Sequence, residues 1–367
     1  MAERGKREGI ATVLTPPNGG YRRSQNEIDL RPGASESSEY ISAESLSVAP
    51  SPLALKPLLV LKFRPISANR FTITPPSSVL KPPLLRFILI AIISATAGVL
   101  RATDEKKPHA VLVVGTLHYS PELTMPEFAT ELERFGFRTT IVMGEGDPEK
   151  KTENVLPGLA ALADADVAIF FTRFLKLPDS EWEPIANYLK SGKPVIGLRT
   201  SSHSFKYPKD HPRFEWNTSF GARALGTTYI VHQSSETEVK VLAEGLLHPI
   251  MQNVTQRKWV SPGTVYLGYM EKGYLPLLVG SGSGTPRHLK RVFGEFQTQE
   301  FETATVAWAW ENEWGGKVFG TSLGHPGDFA EESFVRMLIN AASWAVGQEL
   351  PGADQKISTW QIKRVDK

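Results

Sequence analysis

Apolar and polar positions fall into two alternating rhythms from Thr103 onward. His109 to Gly115 (HAVLVVG) is a nearly unbroken apolar run, the mark of a strand covered on both faces. Pro121 to Phe135 then places Leu123, Phe128, Leu132 and Phe135 at helical spacing. Phe137 to Met143 reads as a second strand, Val155 to Ala163 as a short helix, and Ala165 to Phe171 as a third strand. Pro178 to Lys190 is a helix opened by Asp179, with Trp182, Ile185, Ala186 and Leu189 on one face. Ser191, Gly192 and Lys193 end it, and Pro194 to Leu198 is a fourth strand. Strand and helix in this order predict βαβ units, a parallel sheet and right-handed crossovers.

The rhythm stops from Arg199 to Gly226. The segment holds His203, Lys206, Tyr207, His211, Arg213, Trp216 and Asn217, and its length predicts a functional loop or lid. Short strands follow at Gly226 to Gln233 and Val239 to Leu242, with antiparallel or peripheral strands at Trp259 to Tyr269 and Tyr274 to Gly280. Thr303 to Trp310 alternates, with Val306, Trp308 and Trp310 on one side. Glu311 to Gly316 is turn chemistry, and Val318 to Leu323 is the returning strand. The chain breaks at Gly324-His325-Pro326-Gly327-Asp328 before a long amphipathic helix, Phe329 to Val346. The tail, residues 351–367, is polar and expected to fray.

The first 80 residues follow neither rhythm. They are rich in Ser, Pro, Arg and Glu and bury too little to offset ordering entropy, so they read as disordered or as a mis-assigned extension. Residues 81–102 look like an export signal: Lys81 and Arg86, the apolar run Phe87 to Ile93, and the small-x-small site Ala95-Thr96-Ala97, with Ala102 a second end. The run is short for a membrane span; an uncleaved anchor is the alternative. A leader so far into the chain suggests a true start near Val79 or Leu80, which native peptides from residues 1–70 would disprove. The expected product, residues 103–350 with the tail, is then periplasmic or extracellular, or membrane-anchored, and of bacterial type.

Composition narrows the chemistry. Lys plus Arg number 41 against 39 acidic residues, so charge gives no sign of a nucleic-acid partner. The absence of cysteine removes disulfides, thiolate metal sites and a cysteine nucleophile. Three histidines follow apolar strands: His118, His203 and His325. The carboxyl ends of parallel strands share one edge, so these side chains can converge as acid, base or ligands. A divalent metal stays open as a cofactor, but no short ligand spacing such as HExxH supports one. The plain alternative is that each histidine only caps its turn.

Arg199-Thr200-Ser201-Ser202-His203 sits where a strand turns sharply, an elbow that can present a hydroxyl or hold an anion on backbone N–H groups. The small residues of a Gly-x-Ser-x-Gly elbow are missing, which favours ligand hydrogen bonding over covalent catalysis. Gly280 to Gly284 (GSGSG) lacks the ending of a phosphate loop and reads as flexible. Trp308 and Trp310 fit core packing better than a sugar-stacking platform.

Taken together, GKPVIGLRTSSHSF (Gly192 to Phe205), AEGLLHPI (Ala243 to Ile250), ATVAWAW (Ala304 to Trp310), GKVFGTSLGHPGDF (Gly316 to Phe329) and SFVRMLINAASWAVG (Ser333 to Gly347) resemble the ThuA-like, trehalose-utilisation family. The resemblance runs in order from Ala110 to Gly347. It implies an α/β fold of the class I glutamine amidotransferase type: three-layer, flavodoxin-like, with a mostly parallel sheet and peripheral strands. True amidotransferases carry a cysteine at the elbow and a His-Pro-Glu after a late strand. Here the elbow is Arg199 or Thr200, and His325-Pro326 is followed by Gly327, so glutaminase chemistry by that route is excluded.

The family's association with trehalose and keto-sugars suggests a small sugar as partner. His325 and His203 would then be catalytic, with Arg199, Thr200, Ser201, His118, Tyr119, Trp216 and Asp328 binding substrate in a histidine-lined pocket. The competing reading is a non-catalytic carbohydrate- or partner-binding domain on a degenerate fold. Homo-oligomerisation is left open.

Overall fold

The structure, a computed structural model, describes residues 106–147, 152–282 and 303–362. The expected extension and leader lie outside the described residues. Eleven strands occur among them: β1 (His109–Gly115), β2 (Arg138–Met143), β3 (Glu145–Asp147), β4 (Thr152–Val155), β5 (Val167–Thr172), β6 (Val195–Leu198), β7 (Thr227–Val241), β8 (Lys258–Met270), β9 (Leu275–Gly282), β10 (Thr303–Glu311) and β11 (Lys317–Thr321). The helices are α1 (Pro121–Arg134), α2 (Asp179–Lys190), the single turn α3 (Trp216–Ser219) and α4 (Glu332–Val346).

Nine strands form one sheet, in the order β2-β1-β5-β6-β11-β10-β9-β7-β8. The run of apolar residues in β1 is explained by cover on both faces. Ala110, Leu112 and Val114 pack with Met125, Phe128 and Leu132 of α1 and Phe334 and Leu338 of α4. Val111 and Val113 pack with Trp182, Ile185 and Leu189 of α2. The strands β2, β1, β5, β6 and β11 pair in parallel and carry this layered half.

The expectation of a mostly parallel, flavodoxin-like sheet is corrected by the other half. β10 pairs antiparallel with β11 and β9, and β7 pairs antiparallel with β9 and β8. The strands read as antiparallel or peripheral are antiparallel and extend the same sheet. The two short strands expected between Gly226 and Leu242 are one 15-residue strand, β7. Register shifts around Glu236 absorb the polar interruption that looked like a break.

Three smaller expectations change. Leu159–Asp164 is 3₁₀ rather than α-helical. The late helix starts at Glu332, after a 3₁₀ turn, Pro326–Ala330. The tail does not fray as far as it is described: Trp360 stacks on Phe329 at 5.2 Å, Ile357 is buried, and Arg336 donates to the carbonyls of Gly352 and Gln355. Only Gly280 to Gly282 of the glycine-serine run are described, and they belong to β9. No helix among the described residues is long and apolar enough to cross a membrane.

Candidate functional site

Backbone strain marks one edge of the sheet. Five non-glycine residues among those described have positive φ, and four of them, Tyr119, Ser120, Phe174 and Arg199, lie just past the carboxyl ends of β1, β5 and β6. Each such conformation costs on the order of 1–3 kcal/mol and persists only where the surroundings enforce it. The edge where parallel strands deliver their loops is also where open α/β sheets bind ligands.

Arg199 occupies the elbow after β6 with φ 47°. Its side chain turns inward and is 1% exposed. Nη1 donates to the Ser322 carbonyl at 2.8 Å, while Nε and Nη2 have no close hydrogen-bond acceptor among the described residues. The guanidinium lies 3.9 Å from the ring centre of Tyr119 and 4.9 Å from that of Tyr266. It also lies so close to Gly263 that a Cβ there would meet Nη1 at 2.5 Å. Burial works against its charge, but Tyr266, Tyr119 and Asp328 outweigh burial and keep it protonated.

The arginine splits the two phenols. Burial pushes Tyr119 upward, yet Arg199 overrides it and the net displacement is downward. Burial pushes Tyr266 well up, with Arg199 opposing. Two neighbouring acids displaced in opposite directions are the usual arrangement behind a division of acid and base roles.

The three histidines divide into two groups around this centre. His118 packs on Tyr119 at 4.1 Å, and Tyr119 meets His325 at 5.9 Å. His203 packs instead on Tyr229 at 4.1 Å, with Phe174 and Tyr266 near it. Its Nδ1 lies 3.2 Å from the Ser202 hydroxyl. Burial, followed by the positive fields of Arg173, His118, Arg199 and His232, holds His203 well below its usual range, so it is neutral at pH 7. His325 also caps its own turn, since its Nδ1 accepts the Gly327 N–H at 3.1 Å. In the neutral ring that assigns the proton to Nε2.

Other expected ligands serve the fold. Asp328 is buried, and Oδ2 accepts the N–H groups of Gly324 and His325 at 2.7 and 2.8 Å, closing a capping box with His325. Burial pushes its carboxyl upward against the hydrogen bonds from Ser261 and Gly324. Ser201 donates to the Phe170 carbonyl and accepts the Thr172 N–H, pinning the elbow to β5. Thr200 is fully buried beside it. Trp216 packs on Trp182 at 4.5 Å under α2 and under Arg223, outside the histidine and tyrosine cluster.

A cavity of about 300 Å³ opens beside the elbow, lined by Arg199, Ser202, Tyr229, Tyr266, Trp308 and Ser322 among others. None of the three histidines lines it; its wall combines tyrosine, serine and threonine with Leu225, Leu267, Met270 and Trp308 around Arg199. Among the described residues, no group of three or more acidic or histidine side chains is placed to hold a metal ion. Trp308 lies under this wall and donates to the Leu225 carbonyl, as core packing predicts. Tyr229, Tyr266 and Gly263 carried no sequence signal of their own, because they arrive from strands distant in the chain, whereas Ser322 lies within the motif that leads to His325.

No curated protein sequence matches the chain. Among solved structures, a ThuA-like protein from Parabacteroides merdae is similar at 14% identity and TM-score 0.46, covering 69% of this chain and 93% of that one. The glutaminase domain of Trypanosoma brucei CTPS with bound acivicin is similar at 11% identity and TM-score 0.35, covering 68% and 98%. The family model described as "Trehalose utilisation" matches residues 112–345, which span β1, the elbow, the cavity wall and α4, so the chain belongs to the ThuA family.

Proposed function

We propose that this ThuA-family protein acts on a small sugar, a disaccharide or an oxidised sugar of trehalose metabolism, at the carboxyl edge of its parallel strands. The observation that carries the reading is the elbow: a buried Arg199 in a left-handed conformation, set against Tyr119 and Tyr266. Ketone and enediol chemistry needs a fixed cation for the developing oxyanion and a base of moderate strength. Arg199 supplies the first. A neutral His203 and a phenol at Tyr119 shifted toward ionisation supply the second, and His325 offers Nε2–H as a donor. The capping of Gly327 by His325 favours a second reading, a binding domain without turnover, because a histidine fixed in a turn serves recognition equally well.

Incubation of the protein with trehalose and 3-keto-trehalose, with and without divalent metal, followed by NMR of the sugars, separates the two. Turnover that His203→Ala and His325→Ala abolish supports the enzyme. Ligand shifts without turnover support the binding domain. Silence with both sugars removes the substrate class.

A further inference from the structure

The carboxyl edge of the parallel strands carries another arginine, and this one the fold leaves open. Arg173 directly follows β5 and is half-buried. Its Nε is enclosed without an acceptor, whereas Nη1 and Nη2 are neither enclosed nor hydrogen-bonded among the described residues. No carboxylate among the described residues forms an ion pair with it. The guanidinium lies 4.3 Å from the ring centre of Phe174. A guanidinium laid over a ring keeps its in-plane N–H fork available to an anion.

Backbone hydrogen bonds fix this loop to the elbow segment. The Phe174 N–H donates to the His203 carbonyl at 3.2 Å and the Leu175 N–H to the Ser204 carbonyl at 2.7 Å. The Lys206 N–H returns to the Leu175 carbonyl at 2.9 Å. Phe174 is held at φ 54°, a costly conformation for a bulky residue that only such surroundings enforce. The Lys206 ammonium lies 5.0 Å from the same ring centre on an exposed side chain, and it too has no ion pair among the described residues. Two cations therefore share one aromatic ring at the strand ends.

Their surroundings are positive. After burial, the strongest influence on His203 is the charge of Arg173, followed by His118, Arg199 and His232, and Arg173 also draws Tyr119 downward. Arg173 thus stands within range of both His203 and Tyr119, while neither Arg173 nor Lys206 lines the cavity beside the elbow. An arginine fork beside an ammonium suits a doubly charged tetrahedral anion: the fork takes two oxygens in its plane and the ammonium takes a third. A carboxylate would need the fork alone.

We propose that Arg173 and Lys206 bind a phosphomonoester carried by the sugar, with the phosphate between the two cations and the sugar ring toward His203 and Tyr119. The proposal rests on the sugar reading above and narrows its substrate to a phosphorylated sugar in place of a neutral disaccharide.

Isothermal titration calorimetry on the full chain at low ionic strength tests it, with D-glucose 6-phosphate, D-glucose 1-phosphate, D-glucose, D-gluconate and inorganic phosphate as separate titrants. One of the sugar phosphates is expected to bind at least about tenfold more tightly than glucose or gluconate, as charge-assisted hydrogen bonds require. Lys206→Ala, at an exposed position, should weaken that sugar phosphate several-fold and leave glucose unchanged. Arg173→Met should erase the preference; if that variant does not fold, the Lys206→Ala comparison decides. Glucose binding as tightly as both sugar phosphates overturns the inference and leaves the sugar reading standing. Tighter binding of gluconate overturns the phosphomonoester in favour of a carboxylate. Inorganic phosphate binding as tightly as the sugar phosphates reveals a general anion site and overturns the inference. A preference that both substitutions leave intact overturns the assignment to these two residues. Binding of no titrant overturns the inference, while the NMR turnover assay judges the sugar reading separately.

Discussion

Gly263→Ala tests whether the buried arginine is held as tightly as its surroundings indicate. A Cβ built on Gly263 would lie 2.5 Å from Nη1 of Arg199 and 2.9 Å from Cζ and Nη2. Ordinary contact begins at 3.4 Å, so the guanidinium must retreat by about 0.9 Å. It has little room to do so, with the Tyr119 ring already at 3.9 Å and the side chain 1% exposed. The 2.8 Å bond from Nη1 to the Ser322 carbonyl stretches as a result. Overpacking of this kind costs about 1–3 kcal/mol, and a weakened charged hydrogen bond adds about 1.5–3, so the variant should lose about 2.5–6 kcal/mol. For a domain of this size that is about 5–24 °C of Tm. Gly263 does not have a left-handed φ, so backbone strain adds nothing to this cost. Urea unfolding of both proteins measures the difference. A loss below about 0.5 kcal/mol, the range of ordinary surface substitutions, would refute the enclosure of Arg199.

Three further outcomes follow from the same cluster. Asp328→Ala removes the acceptor of two N–H groups, each about 1.5–3 kcal/mol with a charged partner, partly offset by freeing a buried carboxyl; denaturant titration should show a net loss of about 2–4 kcal/mol, with Asp328→Asn milder. His203 is depressed in the fold, so its contribution is present above the unfolded value of 6.5 and is lost as pH falls below it. The urea midpoint of the native protein should therefore drop between pH 7 and pH 5 more steeply than that of His203→Gln, although His109, also depressed, leaves some slope in both. Tyr119→Phe keeps the ring beside Arg199 and removes the phenol, so under the enzyme reading turnover should fall by about 10²–10⁴ with stability little changed. In the native protein the rate should rise with pH toward the displaced Tyr119 value, in a site shared with Arg173, Arg199, His118, His325 and Tyr266; a flat profile would remove Tyr119 as the base.

The parallel half of the fold was legible because its signals are local. The apolar run of β1, the spacing in α1 and the cap of α2 each follow from neighbouring residues, and alternation of strand and helix supplies the topology. The place of the antiparallel strands in the same sheet, and the unity of β7, were not legible because pairing between β7, β8, β9 and β10 is decided by residues far apart in the chain. Ser234, Ser235 and Glu236 look like a turn until a partner strand absorbs them at a register shift. The site shows the same division. His118, Arg199 and His325 stand beside strand ends that local patterns locate. Tyr266 and Gly263 matter only because β8 crosses above the elbow, and no spacing within β8 announces that. Trp216 lies away from the cavity for the converse reason: an aromatic in an irregular segment looks available until Trp182 is found against it.

The elbow connects the fold to its chemistry. The turn after β6 holds Arg199 at positive φ, and its long cationic side chain turns under the strand end, where the Ser322 carbonyl and two tyrosines receive it as a fixed charge. Such a charge forms no covalent intermediate, but it can hold an anion or a developing oxyanion and can tune the phenols it touches. Under the proposed reading, proton transfer and electrostatics would fall to Tyr119, Tyr266 and His203; of the elbow hydroxyls, Ser201 is held by the Phe170 carbonyl and the Thr172 N–H, whereas Thr200 Oγ1 is buried with no partner among the described residues.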